Sequence, residues 1–288
     1  MFVASNNCMN TVKTVLLLGV LSGLLLFLGE AFGGRNGLYA GLVIAVVMNF
    51  FSYFFSDKMA LAMYSAQPVT PEQNPQIYAR VGPIVAGLAQ RMGIPMPRLW
   101  VINDPSPNAF ATGRNPSHAS VAFTVGILNA MSDAEIEGVV AHELGHVLHR
   151  DILISSVAAT IATAITFVAR MGFWFGGSRD DEREGGGIGA FLMLILAPLA
   201  ALLIQMAISR SREFDADAAS ARYTGRPYEL ISALQKLDAY SKRLPLEASP
   251  STAHLFIIKP FTGESLMRLF STHPSTEERI ARLQRMTG

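Results

Sequence analysis

The sequence predicts a mostly α-helical chain with a small β-meander, an α+β domain built around four membrane-spanning helices. Three observations predict it. Of the 288 residues, 50% are hydrophobic and only 16% are charged, well below the roughly 25% charge of ordinary soluble domains. Four apolar runs, at about residues 14–32, 37–55, 152–175 and 188–208, each approach the ~20 residues needed to cross ~30 Å of hydrocarbon. Between the second and third runs lie a group of short strand patterns and one strongly patterned helix. The net charge of +1 gives no sign of a nucleic-acid partner. The single cysteine, Cys8, excludes an intramolecular disulfide framework.

The first two runs make residues 1–56 a pair of spans, joined by a tight turn at Gly33-Gly34-Arg35-Asn36. The first run could pass for a signal peptide. Its length, and the second run following at once, make it a retained anchor. Phe50, Phe51, Tyr53, Phe54 and Phe55, followed by Lys58, suit a membrane–water interface. Residues 57–151 form the first part of a water-soluble domain. Thr70-Pro71-Glu72 opens a helical region carrying Ile77, Val81, Ile84, Val85 and Leu88, with Gly93 as its C-cap. Residues 98–102 form a strand and Asn103-Asp104-Pro105-Ser106-Pro107 a turn. Residues 108–112 and 120–124 are two further strands, which complete the meander. Residues 152–208 form the second pair of spans, joined by a polar, glycine-flanked connector at 176–187. Residues 209–288 complete the domain. A helix from 209 stops at Gly225-Arg226-Pro227. A second carries Leu230, Ile231, Leu234 and Leu237 inward, and a third opens on the capping box Ser275-Thr276-Glu277-Glu278.

The helix after the strands carries the chemistry. Ser132-Asp133-Ala134-Glu135 is a capping box, and Ile136, Val140, Leu144, Val147 and Leu148 form an apolar stripe. Within it stands His142-Glu143-Leu144-Gly145-His146. Residues four apart share a helix face, so both imidazoles can aim at one metal ion, the helical zinc-site geometry of metalloproteases. Glu143 adjoins the first ligand and can act on a water there as a base without binding the metal. The alternative is a buried helix that happens to carry two histidines. Gly145 costs roughly 1 kcal/mol of helix stability relative to Ala, so something must approach the backbone closely there.

A third ligand is needed. Glu213 can supply a carboxylate to complete a His2Glu site. Asp217, four residues on, can then hydrogen-bond the far nitrogen of His142. The alternative is two solvated acids balanced by Arg210 and Arg212. Topology favours the ligand reading: two membrane crossings separate the motifs and return the chain to its starting side. His149 is a rival ligand, but three histidines along one straight helix cannot surround a tetrahedral ion. His118 and His254 read as surface residues. His273, just before the last helix, can reach the cleft as an oxyanion stabiliser or serve as a surface or capping residue. The strand at Asn108, Ala109 and Phe110 can hold an extended peptide by edge pairing, or serve only the core.

Together, His142-Glu143-Leu144-Gly145-His146, Glu213-Phe214-Asp215-Ala216-Asp217 after two spans, Asn108-Ala109-Phe110 and His273-Pro274 resemble the HtpX-type heat-shock membrane proteases of the M48 class. The resemblance covers nearly the whole chain. It implies a zincin-like domain, one Zn2+ per chain, and endoproteolysis of misfolded or damaged membrane proteins under stress. It also implies a multi-pass location in a bacterial inner membrane with the catalytic domain facing the cytoplasm. The distribution of Lys13, Lys58, Arg210 and Arg212 against Arg35, Arg179 and Arg183 gives only a modest positive-inside bias. Two other classes fit the sequence less well. A non-catalytic scaffold held together by its metal would normally close the site with four protein ligands. A transporter would show an ion path, whereas charge in the spans sits at their ends, as with Glu30 and Arg170. Oligomeric state is not legible.

Overall fold

The computed structural model describes residues 2–151, 153, 210–243 and 274–286. The first helical stretch, α1 (Phe2–Met63), is broken at Gly34, whose φ of 55° and ψ of −141° lie outside the helical region. The break is a reversal. The Asn49 Nδ2 donates to Ser22 Oγ at 2.9 Å, across 27 positions that a straight helix would hold about 40 Å apart. A Cβ on Gly41 would lie 2.5 Å from the carbonyl oxygen of Leu25, so the two arms touch backbone to backbone there. The turn expected at Gly33-Gly34-Arg35-Asn36 therefore exists. Among the described residues, one helix is long and apolar enough to cross a bilayer, Gly34–Phe55, and little of it is buried. The first arm contributes a shorter apolar stretch, Leu18–Phe27. The expected spans at 152–175 and 188–208 lie outside the described residues, apart from Leu153.

The second arm of α1 does not end at the membrane-like stretch. It runs on to Met63 and lays Leu61 on one face of a sheet, against Ile102, Phe110 and Ala122. Asp57, buried, pairs with Arg98 at 2.9 Å, and the Tyr64 and Phe110 rings meet at 5.7 Å.

That sheet has β1 (Gln67–Pro68), β2 (Arg98–Ile102), β3 (Ala109–Thr112) and β4 (Ser120–Thr124), in the order β1-β2-β4-β3. This corrects the predicted meander. The β4 strand is central, parallel to β2 and antiparallel to β3. The reason lies in the Asp104–Ser106 turn. It passes directly over Gly126, just beyond the end of β4, where a Cβ would sit 2.1 Å from the Pro105 carbonyl oxygen. The Gly126 N–H donates to the Asp104 carbonyl at 2.9 Å. The chain thus crosses the end of β4 and sets β3 down on its far side. All five β4 residues are buried, as suits a strand covered on both faces.

The helices follow their sequence signals closely. α2 (Pro75–Met92) starts after Asn74, a few residues later than Thr70, and ends on Gly93 with a φ of 66°. α3 (Val125–Ala130) is capped by Thr124. α4 (Asp133–Leu148) opens on the complete Ser132/Glu135 capping box. Beyond residues 154–209 come α5 (Arg210–Thr224), α6 (Pro227–Arg243) and α7 (Thr276–Gln284), the last capped by Ser275. Helix α4 is the centre of the core. Ile136, Val140, Leu144 and Val147 are buried with Val81, Val85 and Leu88 of α2, Phe123 of β4, Leu230 and Leu234 of α6, and Leu283 of α7. Its glycines let neighbours close in. A Cβ on Gly138 would lie 2.9 Å from the Leu230 nitrogen, and one on Gly145 would lie 3.1 Å from Ala216 Cα and Ala219 Cβ. Gly145 thus marks the crossing of α4 and α5. Glu135 does more than cap: it also accepts from Ser232 at 2.6 Å and from Lys236 at 2.7 Å. Burial alone would raise its pKa, but Lys236 and the hydroxyls hold it at about 2.

Candidate metal centre

The α4–α5 crossing brings the expected ligands together. His142 and His146 stand one turn apart, their rings 4.9 Å between centroids and nearly perpendicular. Glu213, in the first turn of α5, faces both. Its Oε2 is 3.7 Å from His142 Nε2 and its Oε1 is 3.6 Å from His146 Nε2. A tetrahedral zinc ion with bonds of about 2.0–2.1 Å separates its donor atoms by roughly 3.3 Å, so this donor set fits one ion with small adjustments. Among the described residues, these three form the one group whose ligand atoms all lie within 4.8 Å of one another. His149 is the C-cap of α4, outside that group. His118 is exposed on a short 3-10 turn and pairs with Asn115. His254 and His273 lie outside the described residues.

Both imidazoles present Nε2 to Glu213 because Nδ1 is engaged elsewhere. His142 Nδ1 lies 2.9 Å from Asp217 Oδ1, as the i, i+4 spacing of Glu213 and Asp217 suggested. Asp217 is itself gripped by Arg279 of α7, whose Nε and Nη2 donate to its two oxygens at 2.9 and 2.7 Å. Burial works against the Asp217 carboxylate, but Arg279 and His142 outweigh it and hold its pKa at about 2. Burial likewise opposes the Arg279 charge, yet Asp217, Glu213 and Glu143 keep its pKa above the ordinary arginine value.

Sequence reasoning missed Arg279. One signal was available: Arg279 is four residues before inward-facing Leu283, on the buried stripe of an amphipathic helix. It also missed Asp151, buried beside His146 with Oδ2 3.3 Å from Nδ1, and took Arg212 only as a solvated counter-charge, whereas it is buried 3.9 Å from Asp151.

The electrostatics suit a cation. Glu143, Asp151, Glu213 and Asp217 are all buried, against Arg212 and Arg279, which leaves two negative charges around the imidazoles. Burial would lower the pKa of His146, but the Asp151 hydrogen bond and the charges of Glu213, Asp151 and Glu143 push it up to about 9. A proton is drawn to the place where a divalent ion would neutralise the excess charge.

Glu143 is buried beside the ligands, and its Oε2 accepts from the Ala111 backbone N–H at 2.9 Å. That bond comes from the edge of β3 that faces away from β4 and, among the described residues, pairs with no other strand. Asn108 spends its backbone on Thr124: its N–H donates to Thr124 Oγ1 at 2.8 Å and its carbonyl accepts from Thr124 N–H at 2.9 Å. Pairing alternates along an antiparallel ladder, so Phe110, opposite Ala122, also turns its backbone toward β4, while Ala109 and Ala111 turn theirs outward. The Phe110 side chain packs under α1. Of the expected segment Asn108, Ala109 and Phe110, Ala109 turns its backbone groups to that edge, and Ala111 adds its carbonyl there while its N–H is held by Glu143.

The chain resembles known proteins along most of its length. Residues 75–287 match the model of peptidase family M48. A protease HtpX homolog from Desulforapulum autotrophicum is 52% identical over 280 residues, covering 96% of this chain and 89% of that one. A protease HtpX homolog from Methylibium petroleiphilum is 50% identical over 280 residues, covering 96% and 98%. The crystal structure of S. mikatae Ste24p shares the fold, with a TM-score of 0.52 at 17% identity over 97% of this chain and 67% of that one. The matched family and the near-full-length relatives establish that this chain belongs to peptidase family M48 and is a metalloprotease.

Proposed function

We propose that this membrane metalloprotease is a zinc endopeptidase in which His142, His146 and Glu213 hold one Zn2+ and Glu143 is the general base. The observation that carries the reading is the convergence of two Nε2 atoms on the two oxygens of one carboxylate, at 3.7 and 3.6 Å, with Glu143 on the adjoining helical position. A zinc ion bound there would polarise the scissile carbonyl and the attacking water. Glu143 takes the proton from that water and delivers it to the leaving amine. The Ala111 N–H orients the Glu143 carboxylate for this task. Asp217 and Arg279 hold the His142 ring in one tautomer and one direction. The outward backbone groups of Ala109 and the outward carbonyl of Ala111 pair with an extended peptide, as an added strand does, while the Ala111 N–H stays with Glu143 and Asn108 and Phe110 anchor that strand from behind. His273 is assigned to the oxyanion by its place in the sequence just before the last helix, in keeping with the His273-Pro274 element of the family resemblance.

The substrates we infer are membrane-bound or membrane-proximal proteins, misfolded or damaged under stress. What supports this is the helical arm that carries the exposed apolar stretch Gly34–Phe55 and continues directly onto the sheet beside the cleft. The same reading makes residues 1–56 and 152–208 two pairs of spans, with 57–151 and 209–288 forming one catalytic domain on the cytoplasmic side of a bacterial inner membrane. The test is Glu143→Gln in the full-length protein in detergent. Metal content should stay at one ion per chain while cleavage of casein and of a membrane protein falls by about 10²–10⁴-fold. Wild-type rates in that variant would discard the mechanism.

A further inference from the structure

The two imidazoles are held in parallel ways, and only one of the holding groups belongs to a motif. On His142 the Nδ1 partner is Asp217, clasped by Arg279. On His146 it is Asp151, buried, with Oδ2 at 3.3 Å from Nδ1. Helical geometry alone would not put Asp151 there: five residues on, a continuing α-helix points about 140° away. The chain turns instead. Arg150 has a φ of 58°, a left-handed conformation unusual for a residue with a side chain, and it swings Asp151 back under His146. From α5, Arg212 brings Nη1 to 3.9 Å from Asp151 Oδ1, one residue before the ligand Glu213. Asp151 and Arg212 therefore flank residues 152–209 in sequence and meet in space at the ligands. Their contact lies where His146 and Glu213 must face each other.

We propose that Asp151 is a positioning residue for the metal centre. It holds the Nδ1 proton of His146 so that Nε2 stays a free donor aimed at Glu213, and with Arg212 it ties the end of α4 to the start of α5. The inference rests on the zinc reading given above. Hydrogen-bond partners of this kind typically change metal affinity by about 10–100-fold.

The experiment uses the full-length protein in detergent, stripped with chelator and titrated with Zn2+ against a competing chelator dye. A parallel sample carries Co2+, whose visible absorption reports ligand geometry. Asp151→Ala should weaken Zn2+ binding by about 10–100-fold and alter the Co2+ spectrum. Asp151→Asn keeps an acceptor for the Nδ1 proton, so it should lose only about threefold to tenfold and preserve the spectrum. An Asp151→Ala protein within twofold of wild type, with an unchanged spectrum, would overturn the proposal. So would an Asn variant as weak as the Ala variant. Should Asp151→Ala fail to fold, the Asn variant decides alone, and an unchanged affinity there counts against the proposal. Metal-free wild-type protein that takes up no Zn2+ would overturn the zinc reading itself, an outcome distinct from the others.

Discussion

Replacing Arg279 with Met tests how the C-terminal helix supports the ligands. The substitution keeps an unbranched side chain of similar reach and removes the guanidinium that clasps Asp217 at 2.7 and 2.9 Å. Asp217 is fully buried, and its pKa is held at about 2 against an ordinary value of 3.8. That depression corresponds to about 2 kcal/mol of native-state preference for the carboxylate. Losing the guanidinium also leaves a buried charge with His142 as its remaining close partner, and breaking such pairs costs about 3–5 kcal/mol. For a chain of this size the apparent melting temperature should fall on the order of 10 °C. The sign with pH is fixed by the direction of the shift. Asp217 titrates below its unfolded value, so its contribution is complete above about pH 4 and is lost as pH falls through about 2. The gap between wild type and Arg279→Met should be wide at pH 7 and narrow only toward the acid limit. Thermal unfolding of the chelator-stripped protein in detergent measures it. A loss under about 1 kcal/mol would refute the reasoning, as would a full loss persisting in an Asp217→Asn background, where no buried charge remains to be stranded.

Two further outcomes follow from the same packing. Gly145→Ala gains roughly 1 kcal/mol of helix propensity but places a methyl 3.1 Å from Ala216 Cα and Ala219 Cβ, which overpacks the crossing by about 1–3 kcal/mol. Because α5 must shift by a few tenths of an ångström and carries Glu213, metal affinity should drop several-fold, and an affinity unchanged in competition titration would show that the crossing has slack. The second outcome concerns pH. In the metal-free protein the His146 pKa is raised from 6.5 to about 9, so its contribution is complete below about pH 6.5 and disappears as pH rises through about 9. The stripped protein should lose up to about 3 kcal/mol over that window, while Zn2+ affinity climbs over the same range as the competing proton leaves. A melting temperature and an affinity both flat from pH 6.5 to 9 would contradict this.

Much of the site was written in local chemistry. The capping box at Ser132 and Glu135 formed as read, because a cap is decided within one turn. His142 and His146 share a face for the same reason. Glu213 and Asp217 kept their i, i+4 relation, so once one carboxylate met the imidazoles the other fell beside His142 Nδ1. Gly145 implied a close neighbour and has one in α5. The reversal at Gly34 also announced itself, through a glycine-rich break between two apolar runs.

What the order of residues could not decide were contacts between distant segments. Arg279 meets Asp217 across 62 positions and His142 across 137, and no spacing rule reaches that far. Strand order was lost for a related reason. Alternation identifies a strand but not its partner, and here the partner was chosen by a proline turn passing over Gly126, where a Cβ would collide. Asp151 was hidden by a single left-handed residue, Arg150, whose conformation no helix pattern foretells. By itself, then, the sequence determined which groups could bind a metal and on which helical faces they stand, since helix geometry and capping act over a few residues. Only the tertiary structure decided which buried charges hold those groups in place, since a carboxylate removed from water must find its cation wherever the packed core brings one.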